Sequence, residues 1–542
     1  MDETKTGWMS SHQNVVFLVL ALAFGAALLW PTTNVQWVVA QGDHGLLLCV
    51  SDLTQHGALP YRDYWWPYGP LMPVYYALCF KLLCVTIHSV LIGQAFLNLV
   101  TGVLIYLTLS RLIVPYMALL AAVSFWIFPS DFFFTYNHTG GVTLGAAVAY
   151  AAVAYAAAKK TRFLVMGLVA VFLLSLVKVN FGFAALAAFV GSVALVNAFE
   201  RVLWSAQTVR FYMVSLTLLP ASIVGVYAFL VRGLPLYAVR QCFPFLPGDY
   251  PYHASLRHAL NFWLQALERA ANADWISRCF TVVVVLSAIQ TILLLAKKKM
   301  DSGRRKTVAI AALIFCLFFT AFLHEFLLSG TGYAVNWATP FGILLVFLLI
   351  SVASAPLHAA VRCLLGVTLL LGALSSFCDD TEMLRWFKTP GHFFANERAR
   401  IYVGNDGEWM HTVQSATQFL ENRLRPDETF FAFPYDSLYY FLTGRKSPTR
   451  ELIFFEHAKM TEAQERDVIA NLEKKKVNWV LMSNRTQAAP QEKGIYGESF
   501  CRVLAPYLAT NFEEVAEFGP WNRTAGWVSN HAVKILHRRL PL

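Results

Sequence analysis

The sequence predicts a polytopic α-helical membrane protein of about 11 transmembrane helices with a C-terminal soluble α/β domain, and three observations predict it. Of 542 residues, 57% are apolar and only 14% charged, with a mean hydropathy of +0.50, which is outside the range of an ordinary soluble domain. Apolar stretches long enough to cross a hydrocarbon core of about 30 Å recur from Asn14 to Leu374. Only 12 of the 33 Asp and Glu residues fall in the first 377 positions, whereas 21 fall in the last 165, so each carboxylate kept in the membrane part stands out.

In chain order the expected spans are 14–30, 88–110, 114–128, 141–158, 161–177, 181–198, 211–231, 277–296, 307–324, 334–353 and 358–375. The first lacks a small-residue cleavage site and is followed by ten more, which makes it an anchor and not a removable signal. Arg111, the Lys159, Lys160 and Arg162 run, Arg201 with Arg210, the "KKKMDSGRRK" stretch at 297–306 and Arg362 fall on alternate connections. The positive-inside rule makes that side cytoplasmic and puts the tail outside. The net charge of +10 is accounted for by these positions and no Gly-rich phosphate loop accompanies them, so no nucleic-acid partner is expected. Nine cysteines without a CxxC pair indicate neither a metal site nor a disulfide framework.

The expected domains are 1–377, spanning, and 378–542, an extracytoplasmic α/β domain. Three external segments, 31–87, 129–140 and 232–276, are too long or too polar to be turns. In the first, Asp43 opens "DHGLLLCVSDLTQHG", where Leu46, Cys49, Val50 and Leu53 share one helical face. This spacing predicts an amphipathic helix lying on the membrane surface. His56-Gly57 ends it, and "ALPYRDYWWPYGPL" follows, in which Pro60 and Pro67 forbid a long helix. Tyr61, Tyr64, Trp65, Trp66 and Tyr68 are expected at headgroup level, in a folded cap on the bilayer. In the tail, "ETFFAF", "VNWVLMS", "EEVAEF" and "AVKILHR" read as strands. "YDSLYYFLTG" reads as a short helix stopped by Gly444, and Thr461 with Gln464 as a capping box opening a charged helix. No Ser-His-Asp constellation or P-loop stands out there, which favours an accessory or acceptor-positioning role.

An aspartate soon after the first span, a dozen residues of amphipathic helix and then "HGALPYRDYWWPYGPL" resemble the first external loop of the polytopic GT-C glycosyltransferases. That group includes protein O-mannosyltransferases and lipid A aminoarabinose transferases. Its usual acidic pair, often Asp-Glu, is here Asp43-His44. The tail stretch "FPYDSLYYFLTGRKSPTR" is similar to outer domains appended to bacterial members. The resemblance implies an inverting enzyme that takes a sugar from a polyprenyl-phosphate donor to a lipid, glycan or protein acceptor, at the outer face of a bacterial inner membrane among membrane lipids. Such chemistry needs a base for the acceptor hydroxyl and positive charge or donors for the leaving phosphate.

Asp43 matches the family acid and is the expected base, the alternative being a carboxylate that caps its own helix. Asp131, in "FPSDFFFTYNHTGG", resembles the second acidic position of the superfamily, and His138 lies in the same segment. Tyr61, Arg62 and Asp63 belong to the cap, where Asp63 is either a site residue or a loop organiser paired with Arg62. Lys178 in "KVNFG" resembles a motif lysine of related transferases that would hold the donor phosphate; its bland alternative is a lysine snorkelling to the headgroups. Arg240 is a further phosphate candidate. His324 and Glu325, at the outer end of a span, either line the site or end a helix. No cofactor is required by the sequence, and a divalent metal is left open. A transporter or flippase of lipid-linked sugars, or a non-catalytic assembly scaffold, stays as the alternative. A transporter would place its unusual polar groups near mid-span, whereas here they cluster in outer loops.

Overall fold

The computed structural model describes residues 3–36, 39, 41–127, 136–202, 205–242, 264, 282, 285–293, 302–329, 336–354, 364–367, 392–403, 407–455, 458, 460–487, 494–526 and 529–539. The chain divides into two compact units. One comprises Met1–Pro31, Gln94–Gly225 and Tyr252–Leu384; the other comprises Thr32–Gly93, Val226–Pro251 and Arg385–Leu542.

Among the described residues, six helices are long and apolar enough to span a membrane: Ile87–Leu109, His138–Ala158, Val179–Phe199, Ala206–Leu230, Arg305–Phe326 and Asn336–Ala353. Gln13–Leu29, Pro115–Ile127 and Thr161–Ser175 are shorter apolar helices that coincide with expected spans. The runs 277–296 and 358–375 are helical at 282, 285–293 and 364–367, and otherwise lie outside the described residues. This is an integral membrane protein.

Ion pairing in the first unit groups the helix ends. Glu200, just after the Val179–Phe199 helix, forms ion pairs with Lys159 at 3.6 Å and Lys306 at 2.9 Å. Three of the connections expected to be cytoplasmic therefore meet at one end of the bundle. Within the Ala206–Leu230 span, the Val214–Leu218 turn is a π-helix. Pro220, just beyond it, has no N–H for the helical ladder, and a widened turn accommodates the missing bond.

The second unit holds two sheets. Strands β1 (Val35–Gln36), β2 (His392–Phe394) and β3 (Ile401–Val403) form the first in the order β1-β3-β2, with β1 parallel to β3. Strands β4 (Phe430–Phe433), β5 (Trp479–Ser483), β6 (Phe512–Phe518) and β7 (Val533–Arg538) form the second in the order β4-β5-β7-β6. The β4–β5 pair is parallel, as a connection through helices requires, and the remaining pairs are antiparallel. Gly444, at φ 67°, closes the Leu438–Thr443 helix, and the Thr461/Gln464 capping box opens Glu462–Lys474. All four strands of the second sheet lie where the sequence predicts them, whereas β2 and β3, also in the tail, were not anticipated.

Two expectations for the first external segment need correction. The Asp43–Gln55 helix is not a surface helix, because every residue from His44 to Ser51 is buried. It packs against the Leu71–Leu82 and Leu438–Thr443 helices, and Asp52 on its polar face is paired with Arg398 at 2.7 Å. Four of the five rings of the aromatic cap likewise do not face outward: Tyr61, Tyr64, Trp65 and Trp66 are buried, while Tyr68 is partly exposed. Internal hydrogen bonds account for this, with Tyr61 donating to the Tyr68 carbonyl at 2.6 Å and Trp66 to that of Gly69 at 2.8 Å. Tyr61 takes φ 68°, and its carbonyl accepts Arg450 Nε at 2.7 Å, while the Trp65 N–H donates to the Arg450 carbonyl at 2.8 Å. The Leu71–Leu82 helix was not anticipated within this segment; its Pro73 sits in the first turn, where no backbone donor is missed.

Candidate functional site

The second unit positions the expected base. Asp43 is the first residue of its helix, preceded by Gly42 as N-cap, so its side chain does not occupy the capping position. Its charge still complements the positive end of the helix dipole. Carboxylate Oδ1 accepts the Tyr435 hydroxyl at 2.8 Å. Burial and the neighbouring Asp43 charge hold the Tyr435 phenol well above its usual range, so it remains a donor. Arg485 lies alongside, donating to the Gln41 side-chain carbonyl at 3.0 Å and toward the Tyr435 carbonyl at 3.5 Å. His44, which stands where the resembled family often has Glu, is fully buried, and burial pushes its imidazole down to about 3. At neutral pH the His44 ring is thus neutral.

Asp63 organises the cap. It accepts the Leu59 N–H at 2.8 Å and pairs with Arg62 at 2.8 Å, both groups partly exposed. The Arg62 hydrogen bond holds its carboxyl below the usual range. Asp63→Ala is expected to cost about 1 kcal/mol or less of stability, since exposed pairs are screened by solvent. Thermal unfolding checks this, and lost activity at unchanged melting temperature would make Asp63 a site residue instead. Tyr61 is committed to the turn described above. Arg240 is exposed on the seven-residue helix Leu236–Cys242.

The first unit assembles a separate buried polar group. Lys178, N-cap of the Val179–Phe199 helix, places Nζ 2.5 Å from Glu325 Oε1. Asn180 Nδ2 donates to Glu325 Oε2 at 2.9 Å and to His324 Nε2 at 3.0 Å. His324 Nδ1 faces the Ala321 carbonyl at 2.7 Å, so the proton resides on Nδ1 and Nε2 accepts. The Lys178 ammonium also lies 5.4 Å from the Phe181 ring centroid and 5.8 Å from that of Trp337. His138 is buried against Trp337, with ring centroids 4.9 Å apart. Lys178, His324 and Glu325 thus come together, with His138 against the same tryptophan. Asp131 lies outside the described residues.

Among the described residues no group of three or more His, Cys, Asp or Glu gathers as a metal centre requires. Sequence reasoning missed Tyr435, and the signal that could have found it is the spacing of Gly42 and Gly45 around Asp43.

No protein-family model matches the chain, and no curated protein matches it. Among solved structures it is similar to ArnT from Cupriavidus metallidurans, determined with undecaprenyl phosphate bound (TM-score 0.55) and in the apo state (TM-score 0.54). Each comparison covers 98% of both chains at 13% identity. It is also similar to the apo oligosaccharyltransferase of Archaeoglobus fulgidus, with a TM-score of 0.50 and 12% identity, over 89% of this chain and 71% of that one.

Proposed function

From the GT-C fold of this chain we propose that it is a membrane glycosyltransferase, transferring a sugar from a polyprenyl-phosphate donor to a lipid, glycan or protein acceptor. The observation that carries the reading is Asp43, a carboxylate at the first turn of the helix that follows the first apolar span, within a fold similar over its whole length to a structure holding undecaprenyl phosphate. In the proposed reaction the acceptor hydroxyl loses its proton to Asp43 as its oxygen bonds the anomeric carbon. The bond from that carbon to the donor phosphate breaks, and the phosphate oxygen keeps the electron pair. Attack opposite the leaving group inverts the anomeric centre. Arg62 and Arg240, exposed in the second unit, are assigned to the phosphate charge, while Tyr61 and Asp63 shape the cap. Lys178, His138, His324 and Glu325 are assigned as the polar group of the spanning unit, and Asp131 as the second acid.

Among the described residues no group of three or more His, Cys, Asp or Glu gathers, and the proton transfer to Asp43 is written without a cation. A lipid-borne donor requires a site at the membrane surface, and the distribution of basic connections supports the outer face of a bacterial inner membrane, with 378–542 on the periplasmic side. The test incubates purified protein with labelled undecaprenyl-phosphate monosaccharides and lipid, glycan and peptide acceptors. Label transferred by the wild type and not by heat-inactivated protein is expected. Binding and movement of the donor across vesicles without transfer would overturn the reading in favour of a transporter.

A further inference from the structure

Asp43 and Tyr435 are 392 residues apart, and the chain is shaped on both sides of their contact. A Cβ on Gly42 would lie 2.3 Å from the Tyr435 ring, and one on Gly45 would lie 2.3 Å from the backbone nitrogen of Leu438. No side chain fits at either place, so "QGDHG" at 41–45 is cut to receive "YDSL" at 435–438. The Leu438 N–H donates to the Gln41 carbonyl at 3.1 Å. On the opposite side of the turn, Asp436 Oδ2 accepts the Ser483 hydroxyl at 2.6 Å. With Arg485 bridging Gln41 and Tyr435, the turn after β4 is held to the start of the Asp43 helix from both of its ends.

We propose that Tyr435 is a positioning residue for Asp43, so that the C-terminal α/β region completes the catalytic centre and does more than seat an acceptor. This rests on the glycosyltransferase reading. The phenol restrains the rotation of the carboxylate about its Cβ–Cγ bond, and so restrains the direction from which the acceptor proton is taken. A base held in one orientation acts through geometry, and its loss appears in turnover and not in donor affinity.

The test is a double-mutant cycle on the full chain, with Tyr435→Phe, Asp43→Ala and the pair, read by thermal unfolding and by transfer kinetics with an undecaprenyl-phosphate sugar that the wild type uses. Tyr435→Phe keeps the ring on Gly42 and removes only the hydroxyl. Its kcat should fall about 10- to 100-fold with donor KM nearly unchanged, and it should cause no further loss in the Asp43→Ala background. Its effect on the melting temperature should likewise vanish in that background. An unchanged kcat, or losses that multiply in the double variant, would overturn the positioning role. Strictly additive melting shifts would remove the contact itself. Intact thermal coupling in a wild-type protein that turns over no donor would overturn the glycosyltransferase reading, and the role with it, while the contact stands.

Discussion

Asp43→Asn is expected to lower transfer by at least about 100-fold, the lower end for loss of a general base, while leaving the protein folded. Asn is close to isosteric, and its carbonyl can still accept the Tyr435 hydroxyl that Asp43 accepts at 2.8 Å. Gly42 is the N-cap, so no side-chain cap is lost. What disappears is one negative charge at the first turn, worth about 0.3–1 kcal/mol against the helix dipole. Transfer assays and thermal unfolding on the same preparation separate the two effects. Near-normal transfer by Asp43→Asn, with loss of transfer in a folded Asp131→Asn, would move the base to Asp131 and leave the glycosyltransferase reading standing.

Local signals in the sequence carried the spans and the tail. Hydropathy runs, the Thr461/Gln464 box, Gly444 and the strand patterns all act over a few residues, and the chain obeys them. The helix from Asp43 to Gln55 was legible as a helix and not in its environment. Its apolar stripe is covered as expected, but its other face is covered too, by elements such as the Leu438–Thr443 helix that lie far along the chain. Composition cannot announce such a partner, and the same limit explains the aromatic cap, whose rings read as interfacial until Arg450 closes over Tyr61. The glycines at 42 and 45 did carry the information, since their missing side chains mark where another backbone must approach.

Lys178→Met is expected to destabilise the protein by about 3–5 kcal/mol, the usual consequence of leaving one partner of a buried ion pair alone. The sequence offered two fates for Lys178, an ammonium reaching the headgroups or one holding a donor phosphate. The structure places it 2.5 Å from Glu325, with both side chains about nine-tenths buried. Removing the ammonium takes the Lys178 charge away from Glu325, which keeps the Asn180 amide. Lys178→Met/Glu325→Gln removes both charges while keeping an acceptor for Asn180, and most of the lost stability should return, because a buried pair replaced as a unit costs little. Thermal unfolding in a fixed detergent measures the cycle, and undecaprenyl phosphate binding measured alongside decides the role. If the ammonium serves the phosphate, Lys178→Met would weaken that binding with little loss of stability, and Glu325→Gln would strengthen it by releasing the lysine. A loss of stability cured by the second substitution, with affinity restored in the double variant, would instead make the pair a structural lock within the spanning unit, and the donor's phosphate would then depend on the arginines of the second unit.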